Sequence, residues 1–440
     1  MFIIDTPKKP SFKEAALFWL KLGFIGFGGP AGQIAIMREY LVAKKKWLSD
    51  AKFMHALNYC MLLPGPEAQQ LATYSGWLLH GTIGGLVAGI LFVLPSMFIL
   101  LALSLIYVTL GNIPLIHAMF DGLKPAVIAI IVTALMKISK KSLNSSIHIS
   151  FALASFVAIF FFNIPFPLIV LGAIVIGFLV QKFSKHSTKD NSKSVAQAID
   201  ESSYYLNTET SLPHTKFKWV RASQQLLIGI VLWFLPLAVF YLLLSDFSFW
   251  RNLSIFFTKA AFVTFGGAYA VLPYVAQVSV EQFHWLTHLQ MIDGLALGET
   301  TPGPLIMVLV FVGFMGGYNH FGGSLWLGSL ALVVTTFYTF LPCFLFIFIG
   351  APIVEQTQGN AKVKTVLGFV TAAVVGVLLN LTVYLFKTVV FPHSLSISQM
   401  EYVYMLWIIL SFVALQRFKV NMIIWIGISA VFGLLHYFVF

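Results

Sequence analysis

The chain has 440 residues, 59% of them hydrophobic and 10% charged, with a mean hydropathy of +0.88. That balance excludes a water-soluble globular domain and places the chain among polytopic membrane proteins. The net charge of +11 would suit nucleic acid, but the basic residues cluster in short loops beside apolar segments. This is the positive-inside pattern, so no nucleic-acid partner is expected. Cys60 and Cys343, both within apolar segments, give no disulfide framework and no metal-ligand spacing.

Met1 to Lys13 lacks a short apolar core followed by a small-residue cleavage site and does not read as a removable signal peptide. Phe12 to Gly28 is apolar apart from Glu14 and Lys21 and ends in Phe27-Gly28-Gly29-Pro30. Residues 31–43 set Ile34, Ile36, Met37, Tyr40 and Leu41 against Gln33, Arg38 and Glu39, an amphipathic helix running into Lys44-Lys45-Lys46. Trp47-Leu48-Ser49-Asp50 then reads as an interfacial anchor and helix cap.

The apolar region from about residue 50 to about residue 80 is interrupted by Leu62-Leu63-Pro64-Gly65-Pro66-Glu67-Ala68-Gln69-Gln70. Unbroken, it would form a helix of about 46 Å, too long for a bilayer core of about 30 Å. Pro64 and Pro66 remove two donors and Gly65 permits a sharp turn, so two half-helices are expected. A helix starting at Pro66 would point N–H groups into the break, and transporters place anionic substrates at such breaks. A simple kink is the alternative reading.

Further apolar spans lie near 83–108, 118–136, 147–163 and 164–181. Asp121 and Lys124, one helical turn apart, are expected to pair, and His55 reads as a core histidine. Residues 182–221 turn polar and lysine-rich, as a solvated linker does, and one span near 223–244 follows. Apolar segments then recur at 253–265, 288–300, 304–317, 323–349, 365–386, 403–416 and 420–440.

The second series repeats the first. Gly28-Gly29 recurs as Gly266-Gly267, a shift of 266 − 28 = 238, and the same shift carries Lys21 to Lys259, Trp47-Leu48 to Trp285-Leu286, Pro64-Gly65-Pro66 to Pro302-Gly303-Pro304, and Gly84-Gly85 to Gly322-Gly323. The unpaired span near 223–244 would invert whatever follows it. Charge agrees, since Lys44-Lys45-Lys46 precedes Trp47 whereas Gln282-Phe283-His284 precedes Trp285. Lys387 is an exception that falls outside.

The expected fold is thus all-α, a polytopic integral membrane protein of two inverted-topology repeats with broken or re-entrant helices. Residues 1–181 form the N-terminal repeat, 182–221 a cytoplasmic basic linker, 222–247 an unpaired connecting transmembrane helix and 248–440 the C-terminal repeat. Each repeat is expected to hold four full spans and two helical hairpins.

Phe27-Gly28-Gly29-Pro30-Ala31-Gly32-Gln33 and Leu62-Leu63-Pro64-Gly65-Pro66-Glu67-Ala68-Gln69-Gln70-Leu71-Ala72 resemble the chromate ion transporter family, in particular its long-chain members of two homologous halves. The resemblance covers essentially the whole chain. It implies a multi-pass protein of the cell inner membrane that exports chromate, a tetrahedral dianion, and confers chromate resistance; proton-coupled uptake of sulfate or a related oxyanion is the alternative. The second half departs from the motifs, with Ala268 where Pro30 stood and Leu305 where Glu67 stood, and carries Glu299 three residues before Pro302.

Substrate-binding residues are expected at Lys21, Gly28, Gly29, Pro64, Gly65, Pro66, Glu67, Gln69, Gln70, Lys259, Gly266, Gly267, Pro302, Gly303 and Pro304, with Glu67 and Glu299 as candidates for coupling. The lysines read equally as snorkelling residues and the glycine pairs as packing residues. Glu67 either pairs with Lys21 or Arg38, is protonated, or carries a coupling proton. No catalytic constellation, metal or cofactor is expected. Membrane lipid surrounds the protein, and a homodimer is left open.

Overall fold

The computed structural model describes residues 9–27, 29–111, 113–162, 164–183, 201–207, 210, 212–265, 267–355, 361–392 and 399–439. Gly28, Gly266 and most of the first half of the linker therefore lie outside the described residues.

The described chain is helical, as the apolar runs dictate, because backbone groups in lipid must be satisfied within their own segment. In the first half α1 (Phe12–Ile25) and α2 (Gly29–Arg38) form a hairpin, α2 continuing as a π-helical turn over Glu39–Lys44. Next come α3 (Asp50–Cys60), α4 (Glu67–Leu110), α5 (Pro114–Ser142), α6 (Ser146–Phe162) and α7 (Phe166–Phe183). Inside α4, His80 and Gly81 leave helical geometry, so a buried first arm is followed by a second arm of membrane-spanning length. Helix α8 (Trp219–Leu243) is mostly outward-facing and packs on its neighbours along one side.

The second half repeats this order with α9 (Phe247–Val263), α10 (Leu272–Ala276) and its π-helical turn Gln277–Gln282, α11 (His288–Thr300), α12 (Val308–His320), α13 (Leu325–Val354), α14 (Ala361–Val390), α15 (Tyr402–Gln416) and α16 (Met422–Val439). The 238-residue register extends to backbone detail. The two π-helical turns, Glu39–Lys44 and Gln277–Gln282, coincide under it, as do the starts of α3 and α11. Lys46 and His284, which are also equivalent, both have positive φ, at 52° and 51°. Beyond the second glycine pair the register becomes 342 − 95 = 247, relating Pro95-Ser96 of α4 to Pro342-Cys343 of α13.

The halves interlock. Helix α5 packs against α15 and α16 of the other half, and α14 packs reciprocally against α6 and α7. Close approach needs small residues, and these crossings bring Gly122 against Gly433 and Gly376 against Ala152.

Six described helical segments are long and apolar enough to cross a membrane: Glu67–Leu110, Pro114–Lys140, Trp219–Leu243, Leu325–Val354, Gly368–Val390 and Met422–Val439. Helices α6, α12 and α15 and the Phe166–Val180 stretch of α7 are shorter apolar segments. The linker also differs from expectation, because its described part is docked rather than solvated throughout. Leu206 is buried and pairs with Leu48, its amide donating to the Trp47 carbonyl at 3.1 Å, while the Ser49 amide donates to Leu206 at 2.8 Å. The apolar trio Tyr204, Tyr205 and Leu206 supplies the contact that the surrounding polar composition concealed.

Candidate functional site: two helix breaks against the opposite half

Each Pro-Gly-Pro breaks a helix pair, α3 from α4 and α11 from α12, and each break contacts the opposite half. The Gly65 amide donates to the Thr264 carbonyl at 2.6 Å, and the Gly303 amide to the Gly26 carbonyl at 3.0 Å. Under the 238 shift Gly65 is equivalent to Gly303 and Gly26 to Thr264, so this is one contact made twice, as a two-fold relation requires. Gly65 and Gly303 have φ of 118° and 97°, outside what other residues adopt readily. A side chain at Gly65 would meet Cys343 Sγ at 2.8 Å, and one at Gly303 would strike Ser96 Oγ. Cys343 and Ser96 are themselves equivalent under the 247 shift.

The breaks are embedded in buried polar groups. Gln33 donates from Nε2 to the carbonyls of Gly26 at 2.8 Å and Gly303 at 2.6 Å, tying the first half's hairpin to the second half's break. Ser96 donates to the Pro302 carbonyl. Gln70 donates to the Pro64 carbonyl at 2.7 Å and Gln69 to Thr73 Oγ1 at 3.1 Å. The Oε1 atoms of Gln33, Gln69 and Gln70 are buried without a partner. Buried polar atoms are normally paired, so these three amide oxygens keep acceptor capacity beside the breaks.

Among the expected site residues, Pro64, Gly65, Pro66, Gln69, Gln70, Pro302, Gly303 and Pro304 lie at the two breaks. Gly29 and Gly267 both have positive φ, 71° and 101°, and a Cβ at either would meet open space, a turn beside a void. Glu67 is the half-buried first residue of α4. Arg38 bonds Asp50 at 2.7 Å rather than Glu67. Glu299 is buried and accepts from the Tyr269 hydroxyl at 2.8 Å.

Lys21 and Lys259 are not brought to the breaks. They stand on the exposed faces of α1 and α9, in equivalent stripes with Leu17 and Phe24 and with Phe262. An outward stripe of large apolar residues faces lipid, which is the snorkelling geometry. Sequence reasoning left Gln33, Ser96 and Tyr269 unassigned; Gln33 lies within the glycine motif itself, whereas Ser96 and Tyr269 carry no signal without the fold.

Two further buried clusters fasten α3 and α11 to neighbouring helices. On α3, Lys52 pairs with Glu355 at the end of α13 at 2.6 Å, and Glu355 also accepts from Tyr74. On α11, Asp293 accepts from Tyr107 near the end of α4 at 2.8 Å, with Lys124 of α5 at 3.9 Å. Lys124 bonds Asp121 at 2.6 Å, as its spacing predicts, and Asp121 also meets His117 at 2.9 Å. Asp293 is equivalent to His55 under the 238 shift, and His55 is half-buried rather than a core histidine.

The sequence profile of the chromate transporter family matches residues 13–178 and 251–434, one region in each half. A chromate transport protein of Pseudomonas aeruginosa is 30% identical over 379 residues, covering 85% of this chain and 80% of its own. A chromate transport protein of Cupriavidus metallidurans is 28% identical over 387 residues, covering 87% of this chain and 85% of its own. An uncharacterised transporter of Bacillus subtilis is 27% identical over 137 residues, 31% of this chain but 70% of its own, as a relative of single-repeat length would be. No solved structure matches the chain. A profile matching both halves, and relatives aligned along most of their length, place this multi-pass membrane protein in the chromate transporter family.

Proposed function

We propose that this protein is a secondary transporter that exports chromate across the inner membrane by alternating access between two inverted repeats. The observation that carries the proposal is the reciprocal pair of backbone contacts, Gly65 to Thr264 and Gly303 to Gly26, by which each helix break meets the opposite half in the same way. Relatives named as chromate transport proteins supply the substrate.

Inversion is supported by the order of the long helices. Between equivalent points of the repeats lie the second arm of α4, α5 and α8, three segments of membrane-crossing length, plus the α6–α7 pair. A pair leaves and returns whether it crosses fully or dips, so the total is odd and the second half is reversed. The lysine triad at 44–46 then lies inside and its neutral counterpart at 282–284 outside. In this reading 1–181 and 248–440 are the repeats, 182–221 is cytoplasmic, and 222–247 is the connecting crossing.

The breaks, with Gly29, Gly267, Gln69, Gln70 and Gln33, line the oxyanion site. Helix termini and amides stabilise the dianion there, since an unpaired buried ion costs several kcal/mol. Glu67 and Glu299 are the carboxylates closest in sequence to the breaks and gate or couple the anion. One charge moved across 100 mV is worth about 2.3 kcal/mol, so a dianion leaving an inside-negative cell gains about 4.6 kcal/mol per 100 mV. Uptake would require coupled cations. The test is chromate uptake into everted vesicles, with sulfate as competitor and with the potential and pH gradient collapsed separately. Flux that falls with the potential is expected; no chromate flux under any gradient would refute the proposal.

A further inference from the structure

The two hairpin clusters form an internal control for each other. In the Lys52–Glu355–Tyr74 cluster one carboxylate meets one ammonium, and both its oxygens are bonded. In the α11 cluster two carboxylates, Asp121 and Asp293, share the single ammonium of Lys124. Asp293 is 5% exposed, and its Oδ1 has no hydrogen-bond partner. The groups acting on it are Lys124, Asp121 and His117 of α5 and Tyr107 of α4. Helix α12, which packs along α11, is apolar from Val308 to Gly317. On α14 the group facing α11 is Tyr384, against His288. With His117 neutral, the cluster holds one negative charge that nothing in contact balances, and a buried charge of that kind is expensive.

The same cluster reaches the protein surface. The His117 side chain is 65% exposed and meets Asp121, Asp121 meets Lys124, and Lys124 stands 3.9 Å from the orphaned Oδ1. We propose that Asp293 is the proton-binding carboxylate of the transporter, loaded from the His117 side through Asp121 and Lys124. This rests on the transporter reading, in whose orientation α5 begins on the outside. Closing the 3.9 Å gap lets Lys124 break one Nζ–H bond as Asp293 forms an Oδ1–H bond. A hydronium ion protonates the neutral His117, the imidazolium passes that proton to the Asp121 carboxylate, and the Asp121 carboxylic acid passes it to the Lys124 amine, leaving water, neutral His117 and the Asp121 carboxylate as they began. The cluster thereby gains one proton and becomes neutral. From Asp293, α11 runs six residues, about 9 Å, to Glu299 beside the break. Proton entry from outside opposes chromate leaving, which makes the exchange an antiport.

The experiment uses the full-length protein in sealed liposomes, the potential clamped with potassium and valinomycin, a pH dye inside, and chromate, sulfate or molybdate as the driven anion. Wild-type protein is expected to move protons opposite to chromate. Asp293→Asn, which keeps an acceptor for Tyr107, is expected to exchange chromate for chromate within about threefold of wild type and to move no protons. Asp293→Glu keeps a titrating group at a shifted position, and a displaced pH midpoint of flux is expected even if the Asn variant is not recovered folded. Proton movement undiminished in Asp293→Asn, chromate flux without protons in wild type, or an unshifted midpoint in Asp293→Glu would overturn the inference. Proton-coupled flux of sulfate or molybdate that Asp293→Asn uncouples, with no chromate flux, would overturn the chromate assignment and leave Asp293 in place; no flux of any of the three anions would overturn both.

Discussion

The two halves share a backbone and differ in where they place charge. Their breaks adopt the same positive-φ glycine turn, make the same contact with the opposite half, and sit against equivalent residues, Cys343 and Ser96. Their ionisable groups do not match. The first half opens α4 with Glu67, whereas the second carries Glu299 on the arm before the break, held by Tyr269. Its α3 begins beside a neutral, fully bonded ion pair, whereas α11 carries a carboxylate in excess. The backbone of the breaks is repeated in both halves, and the ionisable groups around them are not.

Breaking the shared part should cost most. Gly65→Ala and Gly303→Ala force left-handed backbone, at about 1–2 kcal/mol, and drive a methyl into Cys343 or Ser96, at about 1–3 kcal/mol more. Both variants should lose thermal stability by similar amounts in detergent and lose flux. A large effect at one glycine and none at the other would break the equivalence. Next in size is Lys52→Gln, which leaves Glu355 buried without its cation at a cost of about 3 kcal/mol, read as a fall in thermal stability. Asp293→Asn should change stability far less, because Lys124 keeps Asp121; equal losses would erase the contrast between the clusters.

How much of this was legible in the sequence follows from the range of the interactions. The breaks, the 238 register and the Asp121–Lys124 pair depend on local chemistry, namely proline, glycine and helical spacing. The Lys52–Glu355 and Lys124–Asp293 contacts join residues 303 and 169 apart (355 − 52 and 293 − 124), and no local pattern announces them. The outward placement of the lysines at 21 and 259 was not legible for a different reason. In a membrane helix both the core-facing and lipid-facing sides are apolar, so periodicity shows a stripe without showing which way it points. The docked segment around Leu206 was hidden by the polar composition on either side of it.

A smaller effect concerns the first helix of each half. Ser11 caps α1, whereas Asp246 caps α9 and also bonds Ser248 and His320. The Ser248 hydroxyl, then His320 and the Phe249 amide, hold the Asp246 carboxyl below its ordinary value. A carboxylate lowered by folding adds stability above its unfolded pKa and loses it as pH falls through the lower folded value. Asp246→Ala should cost about 1 kcal/mol at neutral pH as a lost cap, and the gap from wild type should narrow below about pH 4. A gap constant with pH would assign the effect to packing. The smallest effect is expected from the double variant Lys21→Gln and Lys259→Gln, with flux within about twofold of wild type; a severe loss would return both lysines to the site.

The central claim, that one fold is used twice in opposite orientations, is tested most directly by cysteines at Lys44 and Gln282, both exposed and related by 282 − 44 = 238. The native Cys60 and Cys343 are buried and can stay in place. With a membrane-impermeant thiol reagent on right-side-out and everted vesicles, Lys44→Cys should label only from the cytoplasmic side and Gln282→Cys only from the opposite side. Labelling of both from the same side would contradict the inverted architecture and the shared transport site built on it.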